Sequence, residues 1–430
     1  MAGSTRLKFP LPPLPDADMI NTRERREHML LHNETVRKAL DELKALDEIT
    51  TQETLTLCQI PAPSHQEKEK AGYILKMFRE IGLLDVHMDE VWNVLGRWPG
   101  TGGGPTVMLA AHTDTVFPME TDVTVRKEGG RYYCPGINDD THAVAEIMAV
   151  AKAMVKHGLH AKGDILFCAN VCEEGLGDLK GVKHIFQHEN NIDAFVSVDN
   201  PVTGGVVYTA TGSRRYQVTF TGSGGHSFAD FGLPNPIHAM GRAIAAISDF
   251  QVPRLPKTTF NVGVVSGGTS VNTIASSASL LMDIRSDSDS ELERLTQEFL
   301  RAVDQAVEAE NSRWAPDKPP VKAEVEVKGI RPAGTQSPDC PIVTAAFEAA
   351  RMLGIQPELR DESSTDANIP ISMGIPAIAV GRGGREGGIH TTNEWFEPVE
   401  AWLGPQRDLL LLLLLAGLEG WAEPVIEKRT

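Results

Sequence analysis

Four short segments place acids and imidazoles where a buried strand ends, and a fifth adds a pair of acids on a turn. In "MLAAHTDTVFP" an apolar run leads directly into His112 and Asp114, which share a side because strand side chains alternate with period two. "LFCANVCEEGLGD" delivers Glu173 and Glu174, "AFVSVDNP" delivers Asp199, and a glycine-rich loop after "PAIAVGRGGREGG" delivers His390. The turn "CPGINDDTHAV" adds Asp139 and Asp140 side by side, ahead of an apolar helical pattern. Like charges repel unless a cation lies among them, and two imidazoles with several carboxylates are the donor set of a divalent metal: zinc, or a neighbour such as manganese or cobalt. One ion leaves carboxylates over. Two ions ~3.5–4 Å apart, bridged by one aspartate and a hydroxide, use nearly all of them.

The elements that must position these residues are legible as well. Val107 to Ala111, Ile165 to Val171, Ala194 to Val198 and Ile378 to Val380 are near-continuous apolar runs, as expected for strands of a mostly parallel sheet covered on both faces. Open α/β sheets bind ligands at the carboxyl ends of such strands, where the acids and histidines fall. A helix carrying Val144, Ile147, Met148, Ala151 and Val155 connects the first two. From Asn21 to Glu80 the pattern is helical, broken at Pro63, with Ser64 and Glu67 giving a capping-box signal for the next helix. Around Thr211 the texture changes to alternating strands and two amphipathic helices in the order βαββαβ, a ferredoxin-like unit with one polar sheet face. The expected fold is therefore α/β, with a catalytic domain made of residues 1–211 and 332–430 and an inserted lid of residues 212–331 that serves for dimerisation.

Composition narrows the partners. The 430 residues exceed what one core usually covers. With 41 Lys plus Arg against 58 Asp plus Glu, the formal net charge is -17, which argues against nucleic acid and anionic membrane surfaces. Small molecules, peptides or copies of the chain remain. "LLLLLLLAGL", Leu409 to Leu418, is about half the ~20 residues of a membrane span and is expected to be a buried helix. The N-terminal stretch has no signal-type apolar region and reads as a Pro-rich irregular arm, and five cysteines fit free thiols, so a cytoplasmic location is expected.

The ordered set "HTDTV", "GINDD", "EEG", "VDNP", "GGHS", "STDAN" and "GIHTTNE", spread over most of the chain, resembles the M20 clan of di-zinc peptidases and aminoacylases, tripeptidase-T-like and glutamate-carboxypeptidase-like members included. The resemblance implies two zinc ions, one held by His112, Asp139 and Asp199 and the other by Asp139, Glu174 and His390, with Asp139 bridging and its bond to Asp140 cis. It implies Glu173 as the general base that takes a proton from a water held between the ions. Asp114 resembles the acid that orients His112, and His226 in "GSGGHSF" the oxyanion-stabilising histidine, often supplied across a dimer. Asn272 in "TSVNTI" and Arg285 in "DIRS" resemble substrate-gripping residues. The metal-binding cysteine of the auxin-conjugate and hippurate hydrolase branch is missing, since Cys134 precedes Pro135.

The implied activity is hydrolysis of an amide bond in a small peptide or N-acyl amino acid. A carboxypeptidase or deacylase is favoured over a tripeptide aminopeptidase because Arg285 suits an anionic substrate end. A metal-binding scaffold without turnover is the rival from another class, disfavoured by intact Glu173 and His226. Plainer roles compete residue by residue: His112 with Asp114 as a satisfied strand-end histidine, Asp140 as a helix N-terminal acid, Asp199 as a turn residue, and Arg285 as the partner of Asp283 or Asp287. His28 with His32 and His184 with His188 have i, i+4 spacing but lack the glutamate of HExxH, and are expected to lie on helix surfaces. "PGTGGGPTV" precedes a strand, and so is a turn rather than a phosphate loop.

Overall fold

The computed structural model describes residues 29–189, 191–360 and 363–429; the Pro-rich arm and His28 lie outside them. The larger sheet has eight strands, and its centre consists of Ile165–Asn170, Val107–His112, Ala194–Val198 and Ala377–Val380, all parallel. These are the four apolar runs of the sequence. Antiparallel neighbours continue the sheet on both sides, including Val94–Trp98 and the edge strand Leu84–Met88.

Every residue of Val107–His112 is buried. Val107, Leu109 and Ala111 join one apolar cluster and Met108 and Ala110 another, as alternation demands of a strand covered on both faces. The first cluster includes the helices Ala143–His157 and Leu403–Ala416, the second the helix Lys180–His188. Leu409 to Leu415 all have 0% exposure, which explains a leucine run without helical periodicity: this helix is enclosed all round. Each such side chain contributes roughly 1.5–3 kcal/mol by leaving water. No helix among the described residues is long and apolar enough to cross a membrane.

The second sheet is antiparallel, in the order Thr258–Gly267, Ser277–Ser286, Gly212–Thr221, Lys322–Arg331. The helices Pro236–Ser248 and Asp289–Asn311 complete the expected βαββαβ order. Tyr216, Val218 and Phe220 pack with Leu280, Met282 and Ile284 beneath those helices. Alternation then turns Arg215, Asp283 and Arg285 to the opposite, polar face.

The expected capping box is not formed. The helix Lys68–Ile81 begins without a side-chain cap. Ser64 instead donates its hydroxyl to Asp114 Oδ2 at 2.6 Å, and Glu67 Oε1 accepts from the backbone N–H groups of His65 and Cys172. Both side chains are drawn away from the helix by a strand end that offers charge and unpaired donors.

Candidate metal centre

The parallel strands end at one edge, and their C-terminal continuations supply the site. His112 is the last residue of its strand, Asp199 follows Val198, and Glu173 and Glu174 come shortly after Asn170. Asp139 lies on the turn ahead of the helix Ala143–His157, with a cis bond to Asp140. That turn needs Gly136 at φ +73, where a Cβ would meet Thr115 Cγ2 at 2.5 Å. Glu394 pins it by accepting from the N–H groups of Gly136, Asn138 and Asp139.

Asp139 faces two ways. Its Oδ1 lies 3.2 Å from His112 Nε2 and its Oδ2 3.1 Å from His390 Nε2, which is itself 2.8 Å from Glu174 Oε1. Ligand atoms of His112, Asp139 and Asp199 lie within 4.8 Å of one another, as do those of Asp139, Glu174 and His390. Ligands at ~2.0–2.2 Å from a tetrahedral ion are roughly 3.4 Å apart, so the observed spacings fit two divalent ions that share Asp139. Asp140 belongs to the first group by distance, but both its oxygens are engaged: Oδ2 accepts from the His112 N–H at 3.0 Å and Oδ1 from Arg382 at 2.7 Å. Asp140 stands in the first turn of the helical segment Ile137–His142, and its side chain braces the backbone of His112.

The chain's own cations leave three of the acids, Asp140, Asp199 and Glu173, under-compensated. Burial, with Asp199 and Asp139 adding to it, pushes Asp140 well above the usual carboxylate range against the pull of His112 and Arg382. Burial and Asp139 raise Asp199, and burial, Asp199 and Glu174 raise Glu173 well above its ordinary value despite Arg331. Burial opposes charge on Asp139 too, yet hydrogen bonds to His112 and His390 hold it well below the usual range. His112 is pulled down by burial but carried well above its ordinary value by Asp140, Asp114 and Asp139, and hydrogen bonds to Asp139 and Glu174 lift His390 to about 10. A divalent ion held here would supply the missing charge and would compete with protons for these lone pairs. The donor set suits such an ion.

Around the ligands, Asp114 is fully buried and accepts from Ser64 and from the N–H groups of Glu173 and Glu174, while its Oδ1 is 3.5 Å from His112 Nδ1. Three further residues at the site were not singled out from the sequence. Arg382 touches Asp140 and Asp199, Glu394 holds the Asp139 turn, and Arg331 reaches Glu173 Oε1 at 3.1 Å from the last strand of the small sheet. The available signal for Arg382 was its place two residues after Val380, matching acids that follow the other strand ends. Asp366 of "STDAN" is buried behind the site and accepts from Asn170 Nδ2 at 2.5 Å.

A cavity of about 530 Å³ opens between the two sheets, with Asp139, Glu173, Glu174, Asp199 and His390 on one wall and Arg215, Arg285 and Arg331 on the other. Arg285 also pairs with Asp283 at 2.8 Å. His226 and Asn272 are not among the residues lining this cavity: they lie together on the small domain, where Ser227 N–H donates to the Asn272 carbonyl, and His226 is exposed. The structure brings together the implied ligands, Glu173, Asp114 and Arg285, and leaves His226 and Asn272 outside the cleft of their own chain.

Comparison with known proteins agrees with this geometry. The sequence model of peptidase family M20/M25/M40 matches residues 108–416. N-acetylcysteine deacetylase of Bacillus subtilis (strain 168) is 25% identical over 366 residues, 79% of this chain and 87% of that protein. Aminopeptidase PepT of Bacillus cereus superposes with a TM-score of 0.68 at 22% identity, covering 85% of this chain and 97% of that one. The Bacillus subtilis YXEP protein, described as a dinuclear metal binding peptidase from the M20 family, gives a TM-score of 0.64 at 18% identity over 87% and 99% of the two chains. By the match over most of its length, the chain belongs to peptidase family M20/M25/M40 and is a hydrolase of amide C–N bonds.

Proposed function

We propose that the chain hydrolyses the amide bond of N-acyl amino acids or small peptides, recognises the carboxylate end of its substrate, and works with two divalent ions, zinc by preference. His112, Asp139 and Asp199 would hold one ion, and Asp139, Glu174 and His390 the other. The observation that carries this reading is Asp139, whose two oxygens each face a different histidine. Bound there, the ions supply Lewis acidity toward the scissile carbonyl and acidify the attacking water.

The chain's residues do the rest. Glu173 accepts the proton of the attacking water and passes it to the leaving nitrogen, and its buried position keeps bulk water from competing for that proton. Arg331 fixes the Glu173 carboxylate through Oε1. Asp114 orients His112 and, by accepting two consecutive N–H groups, sets the backbone that presents Glu173 and Glu174. Arg285, with Arg215 beside it on the lid face, would bind the substrate carboxylate. His226 and Asn272 would act in the cleft of a second copy, which makes a homodimer through the lid domain, residues 212–331, part of the proposal. A cytoplasmic location accompanies it. A substrate such as an N-acyl amino acid has a blocked amine and a free carboxylate, and the arginine wall favours it over a peptide read from its free amine.

The test is a panel of N-acyl amino acids and of amino-acid amides run on metal-reconstituted protein with Glu173→Gln alongside. The variant should retain metal and fold while kcat falls about 10²–10⁴-fold, and N-acyl amino acids should be cleaved in preference. A variant as active as the wild type removes the base assignment; preference for free-amine substrates removes the carboxylate reading. Metal binding without turnover on either class would favour the scaffold.

A further inference from the structure

The loop between the strand Ile165–Asn170 and the helix Lys180–His188 carries Glu173 and Glu174, and its backbone is forced at both ends. Cys172 stands at φ +60, and Asp178 and Leu179 stand at +58 and +56. In this left-handed region a side chain crowds the following carbonyl oxygen, so such a backbone persists only where its surroundings hold it. Two clamps hold this one, and none of Glu67, Asp178 and Lys183, which form them, lines the catalytic cavity. We infer that these three are positioning residues for the general base, acting on the reaction by fixing the loop that presents Glu173. The inference rests on the reading of Glu173 as that base.

The first clamp is Glu67, which is 0% exposed. Its Oε1 accepts from the Cys172 N–H at 3.1 Å, from the Cys172 thiol at 3.2 Å and from the His65 N–H at 3.0 Å. A single oxygen therefore fixes both the peptide and the side chain of the residue immediately before Glu173. Gly177 folds the loop back on this point. Its N–H donates to the Glu174 carbonyl at 2.7 Å, and a Cβ there would meet the Cys172 backbone at 2.7 Å.

The second clamp joins the loop to the lid. Lys183 Nζ donates to Asp178 Oδ2 at 2.5 Å and to the Ile330 carbonyl at 2.8 Å. The lid strand Lys322–Arg331 is shaped for this approach. Its register shifts between the partners of Arg215 and Tyr216, and Gly329, opposite Arg215, leaves room where a Cβ would meet Asp178 Oδ1 at 2.7 Å. Two residues on, Arg331 reaches the Glu173 carboxylate, and Arg215 itself donates to the Gly175 carbonyl. Asp178 and Lys183 thus hold the strand end and the base-bearing loop in one register, with Arg331 aimed at Glu173.

The experiment compares wild type with Glu67→Ala, Glu67→Gln, Lys183→Met and Lys183→Arg as metal-reconstituted full-length chains. It reads kcat and KM on an N-acyl amino acid and backbone hydrogen exchange across residues 171–179. Glu67→Ala and Lys183→Met should each lower kcat at least about fivefold, the lower end of coupling between separate sites. KM should change little, the mark of a group that acts on the transition state, and exchange in the segment should quicken. Glu67→Gln keeps the accepting oxygen and Lys183→Arg keeps a cationic donor, so both should return kcat and exchange to wild-type values. Unchanged kcat in the two truncations overturns the inference, as does a loss that the conservative replacements share. Should Glu67→Ala fail to fold, the Lys183 pair decides by the same criteria. Exchange reports on the clamps without reference to the chemistry, and Glu173→Gln reports on the base by itself, so failure of either reading is distinguishable from failure of the other.

Discussion

Replacing Arg382 by methionine removes a positive charge from among carboxylates while keeping much of the side chain's volume. Arg382 is 2% exposed. Its Nη1 lies 2.7 Å from Asp140, 3.3 Å from Asp199 and 3.6 Å from Asp139, and its Nε and Nη2 hold Glu386 at 3.1 and 3.2 Å. Breaking a buried ion pair costs about 3–5 kcal/mol because the partner is left charged and unpaired. With a urea slope of about 3 kcal/mol/M, the unfolding midpoint of the metal-stripped protein should fall by roughly 1–1.7 M. Arg382→Lys keeps the charge but loses the fork that serves Asp140 and Glu386 together, so its shift should be smaller. An ion at 100 times its dissociation constant adds about 2.7 kcal/mol. It should add more to the methionine variant, whose acid cluster is the more negative, so zinc should narrow the gap to wild type. A stripped Arg382→Met midpoint within about 0.3 M of wild type, less than about 1 kcal/mol at that slope, would refute the reasoning. So would a gap that widens with zinc.

Other consequences are as direct. Chelation should abolish hydrolysis, and Zn²⁺, Co²⁺ or Mn²⁺ should restore it; steady turnover by protein shown to be metal-free would reject the metal-dependent reading. Ser64→Ala removes the 2.6 Å hydrogen bond to Asp114 but leaves the two backbone donors, so stability should fall by about 1–3 kcal/mol, and an unchanged denaturation midpoint counts against the positioning role. Burial lifts Asp408 to about 7 against the attraction of Arg407. A carboxyl whose pKa is higher folded than unfolded loses its contribution to stability as pH rises, here between about 4 and 7. Asp408→Asn should therefore flatten the decline in stability over that window, and an unaltered slope would remove Asp408 as its source.

Four of the five residues proposed as ligands were legible because each comes after an apolar strand run, a local signal, and Asp139 was legible as one of two adjacent acids on a turn ahead of an apolar helix. The βαββαβ unit was legible for the same reason, in alternating strands and single-stripe helices. What escaped are groups whose partners are remote in the chain. Arg382 is 242 residues from Asp140, and Arg331 is 158 from Glu173. Ser64 and Glu67 misled because a capping-box pattern is a local preference, and a buried carboxylate at a distant strand end offered Ser64 a stronger hydrogen bond.

The sequence by itself determined the periodicities, and through them which strands are covered on both faces and which chemical groups stand at their ends. Only the tertiary structure decided how those groups share the work: that Asp139 faces both histidines while Asp140 braces His112, that the lid turns arginines toward the cleft, and that His226 and Asn272 remain outside it. The reason is that hydrogen bonding and hydrophobic alternation act over a few residues and leave a pattern in order along the chain. Electrostatic pairing acts over a few ångströms in space, and those distances exist only once the strands lie side by side.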